Sequence, residues 1–193
     1  MNSTTIQLSA RFSTAFALAL TAHEGQIRKG GVIPYISHPM AVAAIALEFG
    51  ATEHQAIAAL LHDVIEDGGA QYLDIIKNQF GDEVLALVLA CTDAIPDGNG
   101  DKPDWKSRKL AYLEHLRQVS DAALLVSGAD KLHNARSIVK DLVLEGNRVF
   151  ERFTGDRNDI LWYYRELSRI FSERQAPMAG FIAYEVERMI SLI

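Results

Sequence analysis

The side chains able to do chemistry collect around Leu61-His62-Asp63-Val64-Ile65-Glu66-Asp67-Gly68-Gly69. Read at about 100° per residue, one helix through this stretch sets His62, Asp63, Glu66 and Asp67 on one side. Ile57, Leu60, Leu61, Val64 and Ile65 cover the other. Gly68-Gly69 is a helix stop, so the three acids fall in a last turn, where the helix dipole disfavours anions. A bound cation would compensate; a solvated acidic helix end is the alternative for this segment taken alone. Two further candidates lie far off in sequence. His38 precedes Pro39 at a helix start, and Asp130 follows the apolar Leu124-Leu125-Val126 and the small pair Gly128-Ala129. A carboxylate there is costly unless it is paired or ligating. Two imidazoles and two carboxylates make a mixed nitrogen and oxygen set suited to manganese, iron or zinc, with positions left for water. None of the four is decisive by itself, because a single histidine is more often a hydrogen-bonded core or surface residue.

Cations stand near these groups. Arg28 and Lys29 sit on a turn flexed by Gly30 and Gly31, where a guanidinium can grip phosphate in two places or stack on a purine and a lysine can act as a point charge. Plain surface charge is the alternative. Lys106, Arg108 and Lys109 follow the stretch Asp93 to Asp104, which is rich in Gly, Pro and Asp and reads as a long loop. Asn134 lies one helical turn after Asp130 and points the same way.

The elements that must position these groups read as helices throughout. The first runs from about Ser9 to Ile27, with Leu8, Phe12, Phe16 and Leu20 recurring at four-residue steps. Its apolar stretch after Arg11 also imitates a secretion signal, but the periodicity favours a core helix. A turn or short hairpin over Arg28 to Tyr35 follows, then a second helix whose first turn holds Pro39, with Ser37 or His38 near its cap. Thr52 and Gln55 match a capping box that opens the helix carrying His62 and Asp63. Two helices flank Gly81, and others span about Trp105–Gln118, Asp121–Leu144, Asp156–Ser172 and Pro177–Leu192. No alternating strand pattern of useful length appears. The expected fold is an all-α helical bundle, residues 1–193 as one domain.

Composition narrows the field. The chain has 193 residues, 49% hydrophobic, with a formal net charge of -6. That length buries a substantial core, and the acidic balance argues against general nucleic-acid binding while leaving room for a small anionic substrate at a local basic cluster. Cys91 is the one cysteine, so no internal disulfide is possible and a reducing, cytoplasmic setting is expected. No apolar run reaches the roughly 18 residues of a membrane span.

Four phrases stand in order: Ala22-His23-Glu24-Gly25-Gln26-Ile27-Arg28-Lys29, Pro34-Tyr35-Ile36-Ser37-His38-Pro39, Leu61-His62-Asp63-Val64-Ile65-Glu66-Asp67 and Ala129-Asp130-Lys131-Leu132-His133-Asn134. Together they resemble the hydrolase domain of RelA/SpoT-type enzymes among the HD-domain metal phosphohydrolases, and above all the small stand-alone alarmone hydrolases of metazoan SpoT-like type. The resemblance covers Ala22 to Asn134 strongly. The tail, including Trp162-Tyr163-Tyr164, resembles that group more weakly. It implies removal of the 3′-pyrophosphate from guanosine tetra- and pentaphosphate with Mn²⁺, other transition metals being possible. It implies His38, His62, Asp63 and Asp130 as metal ligands and Glu66 and Asp67 as the catalytic acids, one of them orienting or deprotonating water. Arg28, Lys29, Asn134, Lys106, Arg108 and Tyr163 are then substrate-binding candidates, Lys131 a partner for nearby acids, His23 a structural or supporting residue, and His133 not a ligand. His54 and His115 read as surface residues. Gly68 stands where relatives often carry threonine, and the Gly30-Gly31-Val32-Ile33 turn is slightly longer than in the long bifunctional enzymes. Two other functions compete: a different nucleotide phosphohydrolase, such as a 2′-phosphatase of NADPH, and an alarmone-binding module that does not cleave. No nucleic-acid or membrane partner is expected, and oligomeric state is left open.

Overall fold

A computed structural model of the chain describes residues 6–92 and 104–193. Most of the loop expected at Asp93 to Asp104 therefore lies outside the described residues. Asp104 is within them and caps the next helix, its side chain accepting from the Ser107 N–H at 3.1 Å.

The helices are α1 (Ala10–Ala22), α2 (Ser37–Glu48), α3 (Glu53–Leu61), α4 (Val64–Gly68), α5 (Tyr72–Cys91), α6 (Trp105–Leu116), α7 (Asp121–Glu145), α8 (Arg157–Glu173) and α9 (Ala179–Ser191), with a 3₁₀ turn over Gly146–Arg152 before α8. Among the described residues the only β pairing is the isolated antiparallel bridge between Ile27 and Pro34. The fold is all-α, with the short hairpin where the paired glycines put it.

Local chemistry accounts for the helix ends. Thr52 accepts from the Gln55 N–H while the Gln55 side chain accepts from the Thr52 N–H, completing the capping box of α3. Ser9, Ser120 and Asp156 cap α1, α7 and α8 in the same one-sided way. Gly81 interrupts α5 with φ +87°, a conformation a Cβ resists, so α5 is two helical runs that meet at a kink there, as the sequence leads one to expect. Three expectations need correction. α1 ends at Ala22 rather than Ile27, because His23 leaves the helix and Gly25 turns the chain at φ +72°. α2 starts at Ser37 behind Ile36, with neither Ser37 nor His38 acting as a side-chain cap. The helix through His62-Asp63 is not continuous, with consequences for the site described below.

The core surrounds α3 and α7. Ala56 through Leu61 are all buried, since α3 packs against α1, α2, α5 and α7. The small alanines let these neighbours approach closely. α7 runs through the middle, with every residue from Ala123 to Leu132 buried, Leu124, Val126, Ala129 and Leu132 among them. On this buried length sit the polar Ser127, Asp130 and Lys131. α8 presents Ile160, Tyr164, Leu167 and Phe171 at helical spacing, and α9 packs on α7 and α8. No helix among the described residues is long and apolar enough to cross a membrane.

Candidate metal and phosphate site

His62 and Asp63 meet at a break. α3 stops at Leu61, and Asp63 stands at the start of the five-residue α4. On one continuous helix adjacent side chains diverge by about 100° and do not face one another. The break instead brings His62 Nε2 and Asp63 Oδ2 to 3.0 Å. It also moves Glu66 and Asp67 into the first turn of α4, so the acids are not stranded at the carbonyl end of a long helix. The dipole argument for a cation is thereby weakened, and the geometry supplies a better one.

α2 and α7 bring the other two groups to the same point. His38 Nε2 lies 3.2 Å from His62 Nε2, 3.1 Å from Asp130 Oδ1 and 3.5 Å from Asp63 Oδ2. His62 Nε2 is 3.6 Å from Asp130 Oδ1. Ligand atoms of His38, His62 and Asp130 all fall within 4.8 Å of one another. Donors held about 2.1 Å from a central ion sit roughly 3.0–3.4 Å apart, so these spacings suit one metal ion.

The outward-facing ring nitrogens are committed, which aims both Nε2 atoms inward. His62 Nδ1 donates to the Ala59 carbonyl at 2.8 Å. His38 Nδ1 lies 2.7 Å from His133 Nδ1. Burial, with His38 and Arg28 nearby, lowers the His133 pKa to about 3, so His133 is neutral and can accept the His38 proton. Burial opposes charge on His62, yet Asp63 and Asp130 outweigh it and raise its pKa well above the usual imidazole range. Burial likewise works against charge on Asp130, and Lys131 together with the two imidazoles holds it well below the carboxylate range. Asp63 is depressed by His62 and His38 against the same burial. The pocket is thus built to hold positive charge.

A second ring of contacts fixes the carboxylates. The Tyr35 hydroxyl donates to Asp63 Oδ2 at 2.6 Å, and burial with the Asp63 charge raises its pKa, keeping it a donor. Lys131 Nζ donates to Asp130 Oδ2 at 2.6 Å and Asn134 Nδ2 to Asp130 Oδ1 at 2.5 Å. Arg28 in turn donates to Asn134 Oδ1 at 3.0 Å and lies over the Tyr35 ring, 5.6 Å from its centre. The hairpin cation is therefore beside the carboxylate pair, with Lys29 exposed next to it. Glu66 is half-buried, and Asp67 accepts from Gln26 Nε2 at 2.8 Å.

The remaining sequence candidates lie between α6 and α8. Lys106 pairs with Asp159 at 2.9 Å and rests 3.4 Å from the Trp162 ring centre. Arg108 is half-buried on the same helix. Tyr163 is buried edge-on to Trp105, whereas the buried Tyr164 feels the charges of Lys131, Asp130 and Arg28. Three contributors were not singled out by residue type: Tyr35, His133 as the support of His38, and Gln26, whereas His23 was expected in a supporting place and meets Gln26 there. Tyr35 stands within the Pro34-Tyr35-Ile36-Ser37-His38-Pro39 phrase, which was a usable signal. The others act through partners up to 95 residues away, which periodicity does not reveal. His54 bridges Arg11 and Glu83, and His115 meets the Ala90 carbonyl, both away from this site.

Comparison with known proteins agrees with the geometry. The family model described as HD domain matches residues 15–161. The bifunctional (p)ppGpp synthase/hydrolase SpoT of Escherichia coli K12 is 38% identical over 134 residues, which is 66% of this chain and 18% of that protein. The chain thus spans about a fifth of the length of such curated relatives. A metazoan ortholog of SpoT, a protein that hydrolyses ppGpp and acts in starvation responses, superposes with TM-score 0.69 at 26% identity, covering 97% of this chain and 96% of its own. A Listeria monocytogenes EGD-e crystal structure gives TM-score 0.68 at 28% identity over 78% of this chain and 96% of its own. A matched length of this extent shows that the chain belongs to the HD domain family, and within it His38, His62 and Asp130 converge on one point.

Proposed function

We propose that this chain is a metal-dependent 3′-pyrophosphohydrolase of guanosine 3′,5′-polyphosphates, releasing GDP or GTP and pyrophosphate. The observation that carries the reading is the convergence of His38 Nε2, His62 Nε2, Asp63 Oδ2 and Asp130 Oδ1 beside Arg28 and Asn134. It is supported by the guanosine-3′,5′-bis(diphosphate) 3′-pyrophosphohydrolase of Escherichia coli O157:H7, 38% identical over 134 residues, and by the metazoan ppGpp hydrolase with matching length.

Those four residues would hold the ion. We favour Mn²⁺, because two imidazoles with two carboxylates form a borderline donor set rather than the all-oxygen set of magnesium or calcium. A divalent ion here supplies Lewis acidity toward phosphoryl oxygen and a lowered pKa for water. The protein does the rest. Arg28 and Lys29 hold the phosphates electrostatically. Glu66 and Asp67 stand one turn beyond the ligands, where one takes the proton of the attacking water and the other manages the proton delivered to the 3′-oxygen. The water oxygen joins the phosphorus, the bond from phosphorus to the ribose 3′-oxygen breaks, and that oxygen leaves as a hydroxyl. Tyr35, Lys131 and Asn134 keep the carboxylates from turning.

A substrate panel tests the assignment. With Mn²⁺, guanosine 3′,5′-bis(diphosphate) should be turned over far faster than NADPH. Faster release of phosphate from NADPH would transfer the assignment to a 2′-phosphatase, and tight alarmone binding without product would make the chain a sensor.

A further inference from the structure

Asp67 is held from outside the metal cluster. His23 ends α1, and Gly25 at φ +72° turns the chain so that the Gln26 N–H donates to the His23 carbonyl at 3.1 Å. The Tyr35 N–H donates to the Gln26 carbonyl at 2.9 Å, tying the same residue to the hairpin. With its backbone fixed on both sides, the Gln26 side chain reaches α4. Its Nε2 donates to Asp67 Oδ2 at 2.8 Å, and its Oε1 lies 2.7 Å from His23 Nδ1.

The polarity of this chain is forced. A carboxylate only accepts, so the amide NH₂ must face Asp67 and the amide oxygen must face His23, which donates from Nδ1. His23 itself is only 4% exposed and packs on the Tyr35 ring at 4.8 Å between centres. Tyr35 is the donor to Asp63. One stack thus serves both carboxylates, Asp63 through the Tyr35 hydroxyl and Asp67 through Gln26. The Asp67 side chain is 30% exposed on a five-residue helix, so little else of that helix can fix its rotamer. A neutral amide orients the carboxylate without cancelling its charge, as a lysine or arginine would.

We propose that Gln26 is a positioning residue for hydrolysis, an amide clamp that holds the Asp67 carboxylate in its working orientation; this rests on the catalytic role given to Asp67 above. Gln26 acts through Asp67 rather than on substrate.

The test is a kinetic double-mutant cycle on the Mn²⁺-loaded protein with guanosine 3′,5′-bis(diphosphate): Gln26→Ala, Asp67→Asn and the pair, with metal content and Tm measured on each. Gln26→Ala should lower kcat about 10- to 30-fold, the scale of a lost hydrogen bond to a charged group, with KM changed less than about 2-fold and metal content unchanged. Placed on Asp67→Asn, it should cost less than about 2-fold more, since the group it positions is already gone. An equal loss in both backgrounds, or a loss of metal, overturns the clamp. If Asp67→Asn alone keeps wild-type kcat, the catalytic reading of Asp67 fails instead, and the clamp with it. Gln26→Glu keeps the volume but sets a second carboxylate against Asp67. It should lose at least as much kcat as Gln26→Ala, and retained kcat would overturn the proposal even if the alanine variant folds poorly.

Discussion

His38 and His62 present their Nε2 atoms to each other at 3.2 Å, each ring having its opposite nitrogen already committed, to His133 and to the Ala59 carbonyl. Two imidazole lone pairs directed at one point, with Asp63 and Asp130 alongside, repel unless a positive charge lies between them. The raised pKa of His62 is the response of the side chains themselves to that demand. A metal ion held by His38, His62 and Asp130, with Asp63 beside them, would answer it.

Metal binding should therefore stabilise the fold measurably. At Mn²⁺ about 100-fold above its Kd, linkage gives about 2.7 kcal/mol, or roughly 5–10 °C in Tm for a chain of this size. Asp63→Ala should abolish both the shift and the bound metal, read by thermal melting and elemental analysis. A full shift in Asp63→Ala would remove Asp63 from the ligand set.

Glu66 separates chemistry from metal binding. Glu66→Gln keeps the size and loses the charge, so it should retain the ion and lose turnover by at least about 100-fold, the usual range for a general acid or base. Near-wild-type turnover with metal bound would show that Glu66 is not one of the catalytic acids.

Much of this was legible in the residues. The capping box of Thr52 and Gln55, the division at Gly81, the hairpin over the paired glycines and the helices over about Asp121–Leu144 and Asp156–Ser172 follow from local chemistry, and the structure has each of them. The break between Leu61 and Val64 was not legible. No glycine or proline marks it, and the apolar Leu60, Leu61, Val64 and Ile65 continue across it as though one helix ran through. It is stabilised by a tertiary bond, the Tyr35 hydroxyl donating to Asp63 across 28 residues, and by a local one from His62 Nδ1 to the Ala59 carbonyl. The same holds for Gln26 on Asp67 and Arg28 on Asn134, separated by 41 and 106 residues. Such contacts leave no periodic trace, so periodicity located the acids but not their supports.

Tyr35 is one of those supports, and its removal should be felt by the metal. Tyr35→Phe deletes the donor to Asp63 Oδ2 while keeping the ring that packs on His23. The Kd for Mn²⁺ should rise about 10-fold, as for other residues that orient a ligand, with little change in the Tm of the metal-free chain. An unchanged Kd by calorimetry would show that Asp63 needs no such support.

Arg174, at the end of α8, joins three elements far from the chemistry. Its guanidinium donates to the carbonyls of Leu116, Arg117 and Val119 and to the Asp121 carboxylate, closing the end of α6 onto the start of α7. Arg174→Ala should cost about 2–3 kcal/mol by leaving these acceptors short of a charged donor. Denaturant melts should show it, while kcat of the folded fraction stays near wild type.

The central claim is tested most directly by product analysis. Purified protein loaded with Mn²⁺ should convert guanosine 3′,5′-bis(diphosphate) to GDP and intact pyrophosphate in a one-to-one ratio, and a chelator should stop it. Metal demonstrably bound at this site with no pyrophosphate released would contradict the account.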